Sequence, residues 1–215
     1  ANGSVKNKRC KTREVMSGGS AVMLASNGAQ ATINGKLASS TAGLELLNHG
    51  RRRNNCTINL GFINNSDGSG VDSSTIGNAG RGILASNRSR FSNYGVINFQ
   101  PGSGDSQALW LFDSRAVNHG NINIGVAGIT GSGSAVGVLA SGSGGFTNAQ
   151  EGVIYGGRTP QNGKTDPTED VAVNLSGGVS GVVASGDGRA VNNGQIVLGS
   201  KVQNAVAMRA QYGAD

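Results

Sequence analysis

Short runs in which apolar and polar residues alternate recur along the chain, separated by residues that favour turns. Residues 122–124 and 171–175 carry apolar side chains two positions apart, a spacing that places them on one face of an extended strand. Apolar residues at helical spacing never continue for longer than about three turns. Gly, Asn and Ser are abundant between the runs, and these residues favour tight turns over long helices. The pattern predicts an all-β protein made of many short strands.

A longer motif repeats on top of this alternation. Two apolar residues and Ala-Ser are followed by six variable residues and then by Asn-x-Gly-x-Ile or a close variant. Copies that contain Ala-Ser begin at Met23, Ile83, Val138 and Val182, and the second half alone recurs at 59–63 and 118–122. The motif glycines are Gly35, Gly61, Gly95, Gly120, Gly152 and Gly194. Their shortest spacings lie near 25 residues, and the longer ones coincide with loop-like segments at 64–70, 125–134 and 156–170.

A unit of about 25 residues suits one closed coil of three short strands and three turns. Coils stacked about 4.8 Å apart would pair strand upon strand. The sequence therefore predicts a parallel β-helix, or solenoid, of about six coils with three loop insertions. Apolar side chains would fill the interior, Gly would supply positive φ at a corner, and stacked Asn would form a ladder of amide hydrogen bonds.

The repeat accounts for residues 21–215, which we expect to be the β-helix, whereas residues 1–20 are expected to form a basic cap or an irregular segment. Residues 1–53 hold nine Lys and Arg against two acids, a charge of +7, so the remainder of the chain carries −1 and the whole chain +6. The two cysteines, Cys10 and Cys56, are predicted to form a disulfide, which implies an oxidising compartment. Two buried free thiols are the alternative.

Residues suited to catalysis or metal binding are sparse. His49 and His119 lie far apart in sequence and no CxxC motif occurs, so we expect no metal site and no cofactor. Among only 12 acids, the dense group is Glu169 and Asp170 with Asp166 nearby; it is interpreted as a solvated loop or as a weak calcium site. The serines of the Gly-Ser turns at 131–133 and 142–144 lack a base, because both histidines are remote from them in sequence. We therefore predict no catalytic residue and no enzyme activity.

Two groups of side chains are candidates for binding. Arg51, Arg52 and Arg53 are expected to engage sulfated glycans, phosphates or acidic proteins, because guanidinium groups bind such anions bidentately. Trp110 stands where other repeats place Ala, and the alternation of this stretch puts Trp110 and Phe112 on one side of a strand, either outside or in a wider core. Aromatic residues make up only 4% of the chain, which argues against nucleic acid as a partner.

The longest insertion, 156–170, is the predicted contact loop, since loops on a rigid scaffold commonly carry binding. Arg158 lies in this insertion and Tyr155 immediately precedes it, so both are candidate binding residues. Tyr94, near another coil corner, is a similar candidate.

The segment 180–196, with its sequence Ser-Gly-Val-Val-Ala-Ser-Gly-Asp-Gly-Arg-Ala-Val-Asn-Asn-Gly-Gln-Ile, resembles the passenger domains of type V autotransporters. These are surface and adhesin proteins of Gram-negative bacteria, and the resemblance extends over roughly 20–212. It implies a right-handed parallel β-helix exported through the outer membrane by a C-terminal β-barrel. The sequence shows no strand series for such a barrel, so we expect a fragment of a longer passenger.

The resemblance implies a protein at the bacterial cell surface or secreted, acting in adhesion, self-association or biofilm formation. The expected partner is a host extracellular-matrix protein, an anionic glycan or a second copy of the chain. Two other functions stay open: a carbohydrate-active β-helix enzyme, either a lyase or a glycosidase, and a purely structural stalk.

Overall fold

The computed structural model describes residues 11–17, 23–33, 35–39, 44–60, 81–102, 104–160 and 167–213. Within these ranges the chain forms β-strands and no helix. Most strands belong to three parallel sheets, which we name A, B and C. In each sheet the hydrogen-bonded neighbours come from successive passes of the chain.

The strands of each sheet stack in the order in which they follow one another along the chain. Sheet A contains β1 (Lys11–Ser17), β4 (Gly35–Ser39), β7 (Thr57–Leu60), β10 (Val96–Phe99), β13 (Asn121–Ile124), β17 (Val153–Gly156) and β23 (Gln195–Leu198). Sheet B contains β2 (Met23–Ala25), β5 (Leu44–Leu46), β8 (Arg81–Ser86), β11 (Ser106–Phe112), β15 (Ala135–Ser141), β21 (Val179–Ser185) and β24 (Ala205–Gln211). Sheet C contains β3 (Gln30–Ile33), β6 (Arg51–Asn54), β9 (Arg90–Asn93), β12 (Arg115–Asn118), β16 (Gly145–Asn148) and β22 (Arg189–Asn192).

The chain passes through sheets A, B and C in turn six times and then adds one more strand to A and to B. This arrangement is a parallel β-helix and confirms the fold predicted from the repeat, including the number of about six coils. Strand β1 falls inside the segment predicted as a cap, and it pairs in parallel with β4.

The insertions between sheets A and B also contain strands. Residues 125–134, predicted as loop-like, include β14 (Ile129–Gly131), which pairs in parallel with β20 (Val173–Leu175) of the next coil. The third insertion holds an antiparallel pair, β18 (Arg158–Pro160) and β19 (Pro167–Asp170). Residues 161–166 and the first insertion, 64–70, lie outside the described residues.

The interior is built from columns, meaning the residues that occupy one register position in successive coils. The isoleucines of the Asn-x-Gly-x-Ile motif and their counterparts form one such column in sheet A: Ile58, Ile97, Ile122 and Ile154. All four are fully buried. Register is fixed strongly at these positions, because a slip by one residue would move every apolar side chain to the outer face.

The asparagine ladder expected from the sequence is present at the corner after sheet C. Nδ2 of one asparagine donates to Oδ1 of the next at 2.8 Å in each of four steps. The ladder consists of Asn54, Asn93, Asn118, Asn148 and Asn192. The second amide hydrogen is used within each corner; in the Asn118 corner, for example, Nδ2 also donates to the Gly120 carbonyl oxygen at 2.9 Å. Buried amides are thus paired along the stack.

The motif glycines have a different role from the predicted one. Gly95, Gly120, Gly152 and Gly194 do not adopt positive φ. They are needed because successive coils touch at this corner: a Cβ at Gly120 would lie 2.0 Å from the Gly95 carbonyl oxygen. Left-handed backbone occurs instead at the corner between sheets B and C, where several residues other than glycine adopt it.

Candidate functional site

The three consecutive arginines of β6 do not share one surface. Arg51 and Arg53 are exposed, whereas Arg52 points into the coil and is 6% exposed, because side chains alternate across a strand. Burial lowers the pKa of the Arg52 guanidinium. In the described part of the chain, its Nε and Nη1 have no hydrogen-bond partner. The surface offered to an anion therefore includes only two residues of the predicted triplet.

Arg51 instead belongs to a column of arginines on the outer face of sheet C. It lies beside Arg90, which lies beside Arg115; Gly145 follows, and Arg189 occupies the same position one coil further. The four arginines are exposed, and none of the six strands of sheet C contains Asp or Glu. We name Arg51, Arg90, Arg115 and Arg189 the arginine column. Its coil-to-coil step is about 4.8 Å.

The sequence carries a signal for this column. Each of the four arginines stands three residues before a ladder asparagine, as Arg-x-x-Asn. The contiguous run at 51–53 is the more conspicuous charge pattern, but it does not define a shared surface. In a solenoid, surface neighbours come from equivalent positions of successive coils instead.

A second outer column runs beside the first, over four coils. The guanidinium of Arg53 lies 4.0 Å over the ring of Tyr94, and this ring stacks on His119 with centroids 4.4 Å apart and an interplanar angle of 7°. His119 Nδ1 is 2.6 Å from Oε1 of Glu151, and this hydrogen bond lowers the pKa of the glutamate. Both faces of Tyr94 are thus occupied, so its ring is not a free stacking platform.

The aromatic pair on sheet B lies outside, which was one of the two arrangements left open. Leu109 and Leu111 are buried, Trp110 is half-buried and Phe112 is 43% exposed. The register differs from the expectation that Trp110 replaces Ala, because Leu111 stands beside Ala85 and Ala140. Trp110 stands in the column that has leucine in the coils before and after it.

Trp110 is held by polar neighbours on this outer face. Its Nε1 donates to Ser141 Oγ at 2.8 Å, and the Arg81 guanidinium lies 4.1 Å over its ring. The accessible apolar surface of the pair is therefore mainly that of Phe112.

The candidates around the third insertion are tied to the scaffold. Arg158 Nε donates to Asp170 Oδ1 at 2.8 Å and its Cζ lies 5.8 Å from the Tyr155 ring centroid. Asp170 Oδ2 accepts from the backbone N–H and the hydroxyl of Ser200 at 2.8 and 2.7 Å. These bonds from Ser200, and then the bond from Arg158, lower the pKa of Asp170 to about 2. The carboxylate thus fastens the insertion to the next coil.

The acidic group proposed as a calcium site is only partly described, since Asp166 lies outside the described residues. Across the ranges that the structure covers, no group of three or more His, Cys, Asp or Glu is placed to hold a metal ion. Cys56 is buried and disulfide-bonded. Its predicted partner, Cys10, lies outside the described residues, so the pairing stays a prediction.

A cleft of about 320 Å³ lies at the corner between sheets B and C. We name it the corner cleft, and it is lined by His49, Asn87, Arg88, Asp113 and Ser143. These residues come from four successive coils, so the cleft runs along the axis of the β-helix. It was not predicted, because its residues are scattered over 95 positions of the sequence.

The predicted binding residues thus lie on three separate faces: arginines on sheet C, aromatics on sheet B, and Tyr155 with Arg158 beside sheet A and its insertion. The corner cleft and the arginine column, in contrast, adjoin each other. No protein-family model, curated protein or solved structure matches this chain. No helix in the described ranges has the length and apolar character needed to span a membrane.

Proposed function

We propose that this chain is the β-helical body of a bacterial surface adhesin, of the autotransporter passenger type, and that it binds anionic glycans of a host matrix. The observation that carries the proposal is the arginine column. It presents exposed positive charges in consecutive coils of a sheet whose strands contain no acid. The protein acts by binding and carries out no reaction.

The spacing of the column favours a polymer over a single anion. Two unit charges about 4.8 Å apart repel by about 1 kcal/mol in water. The guanidinium groups of Arg51, Arg90 and Arg115 therefore repel one another when the three side chains extend in parallel. A polyanion that lies along the column relieves this repulsion and pairs with several guanidinium groups at once. Because single exposed ion pairs contribute little, the affinity must come from the series, and it must fall with salt.

The test is binding to heparin. Replacing Arg90 and Arg115 together by Gln is expected to lower the affinity at least tenfold and to move elution from immobilised heparin to lower salt. The matched control changes Lys201 and Arg209 to Gln, two exposed cations outside sheet C, and should leave the affinity within twofold. Equal losses in both variants would show that only the net charge matters, and a wild-type chain that does not bind would refute the proposal.

A further inference from the structure

We infer that the corner cleft is a subsite for one uronic acid unit of an acidic polysaccharide, a sugar ring that carries both a carboxylate and hydroxyl groups. The inference rests on the proposed function, because the same polymer would contact the arginine column. It adds a specificity that charge alone does not provide.

The first argument is backbone strain. His49 and Arg88 have φ of +67° and +61°, in the left-handed region that side chains with a Cβ rarely adopt. The equivalent residue of the coil before them is Gly28, with φ +76°, which meets the same geometry without strain. The scaffold accepts glycine at this corner, yet two successive coils place a cation or an imidazole there. Strained residues of this kind concentrate where ligands bind.

The second argument is that the walls of the cleft are held in place. The His49 N–H donates to the Asn87 carbonyl oxygen at 2.9 Å, and the Arg88 N–H donates to the Asp113 carbonyl oxygen at 2.7 Å. Asp113 Oδ1 in turn accepts from the backbone N–H and the hydroxyl of Ser143 at 2.8 and 3.1 Å. These bonds fix the backbone at His49 and Arg88 and the carboxylate of Asp113, so a ligand would lose little affinity to ordering these parts of the cleft.

The third argument is the mixture of groups. The residues that line the cleft carry a guanidinium, an imidazole, an amide, a carboxylate and a hydroxyl group. A bare sulfate has no hydrogen to donate to the Asp113 carboxylate, whereas a uronic acid can offer its carboxylate to Arg88 and its hydroxyl groups to Asp113 and Asn87. Planar bidentate pairing of guanidinium with carboxylate adds both strength and orientation.

The fourth argument is continuity with the arginine column. His49 and Arg88 stand two residues before Arg51 and Arg90, so the cleft follows the corner beside the column. Its four coils span about 14 Å along the axis, from three steps of about 4.8 Å. A glycan lying along the axis would place anionic groups on the column and one ring in the cleft.

The experiment compares two polymers: oligogalacturonate, which has uronic carboxylates and no sulfate, and dextran sulfate, which has sulfates and no carboxylate. Single variants His49→Gly and Arg88→Gly are measured for binding and for Tm. We expect each to weaken oligogalacturonate binding about tenfold, to leave dextran sulfate binding within twofold, and to keep or raise the Tm because strain is relieved. Asn27→Gly, at a left-handed position of the same corner outside the cleft, is the matched control and should change neither affinity.

Four other outcomes count against the inference. A lower Tm in both glycine variants would assign the two side chains a structural role. Equal losses of affinity for both polymers would mean that Arg88 only adds charge. Unchanged oligogalacturonate binding would show that the cleft is not a subsite. In each of these three cases the proposed function stands. A wild-type chain that binds neither polymer would refute the proposed function and the inference together.

Discussion

Asn118 is the central member of the asparagine ladder, and its replacement by Ala tests whether the ladder stabilises the stack. Its side chain is 1% exposed. Its Oδ1 accepts from Asn93 at 2.8 Å, and its Nδ2 donates to Asn148 Oδ1 at 2.8 Å and to the Gly120 carbonyl oxygen at 2.9 Å. Asn118→Ala removes all three bonds and leaves the Asn148 acceptor in a buried site.

Three lost hydrogen bonds at about 1 kcal/mol each give about 3 kcal/mol, and a buried acceptor without a partner adds about 1 kcal/mol. We therefore expect the free energy of unfolding to fall by about 3 to 4 kcal/mol. Asn192 offers a matched control, because it is the last ladder member and is exposed. Water can replace its partners, so Asn192→Ala should lower the free energy of unfolding by about 1 kcal/mol or less.

The measurement is urea unfolding followed by circular dichroism, combined with hydrogen exchange of the amides in β12 and β13. Exchange is needed because stacked coils do not always unfold as one unit. A loss of about 3 kcal/mol corresponds to amide exchange that is roughly 100-fold faster in these strands. A loss below about 1 kcal/mol for Asn118→Ala, or an equal loss for Asn192→Ala, would refute the reasoning.

Three further predictions concern the stack. Gly120→Ala should lower the free energy of unfolding by about 3 kcal/mol or more, since the added Cβ would meet a carbonyl oxygen of the coil before it; Gly104→Ala, where nothing lies within 4 Å, should change the urea midpoint little. Arg52→Met should raise the free energy of unfolding by about 1–3 kcal/mol by removing a buried charge, whereas Arg51→Met, on the exposed side of the same strand, should leave it within about 0.5 kcal/mol. The pKa of Asp170 is lowered in the folded chain, so its contribution to stability is present above the usual pKa and is lost as pH falls toward about 2; Asp170→Asn should remove this part of the acid dependence in thermal melts at pH 2–5.

The interior was predictable from the sequence to a large degree. The isoleucine column and the asparagine ladder follow from the recurrence of Asn-x-Gly-x-Ile, because identical residues at one register position must meet in a stack. The copy predicted at 59–63 was wrong, however, because Asn54 and Ile58 occupy these positions in that coil. The reason for the glycine was not predictable in the same way. Glycine is compatible both with positive φ and with close approach of two backbones, and the motif contains no information on which of these the corner requires.

The surface was predictable to a smaller degree. The run of charges at 51–53 predicts a binding role for Arg51 but not for Arg90 or Arg115, although Arg51 and Arg90 are one coil apart. Arg51 and Arg90 are 39 residues apart in the sequence, because an insertion lengthens the intervening coil. Alternation placed Trp110 and Phe112 on one side of their strand but left open whether that side faces outward, and the prediction aligned Trp110 with the wrong residue of the neighbouring coils.

The fold follows from the order of residues alone: apolar alternation defines the strands, and the spacing of the motif defines the coil, since only one register buries the apolar side chains. Which polar residues become neighbours depends on the stacking of the coils. Insertions of different length separate equivalent positions by varying numbers of residues, while the stacked sheets hold them at one constant step of about 4.8 Å. The arginine column and the corner cleft exist only at that step, and neither forms a contiguous motif.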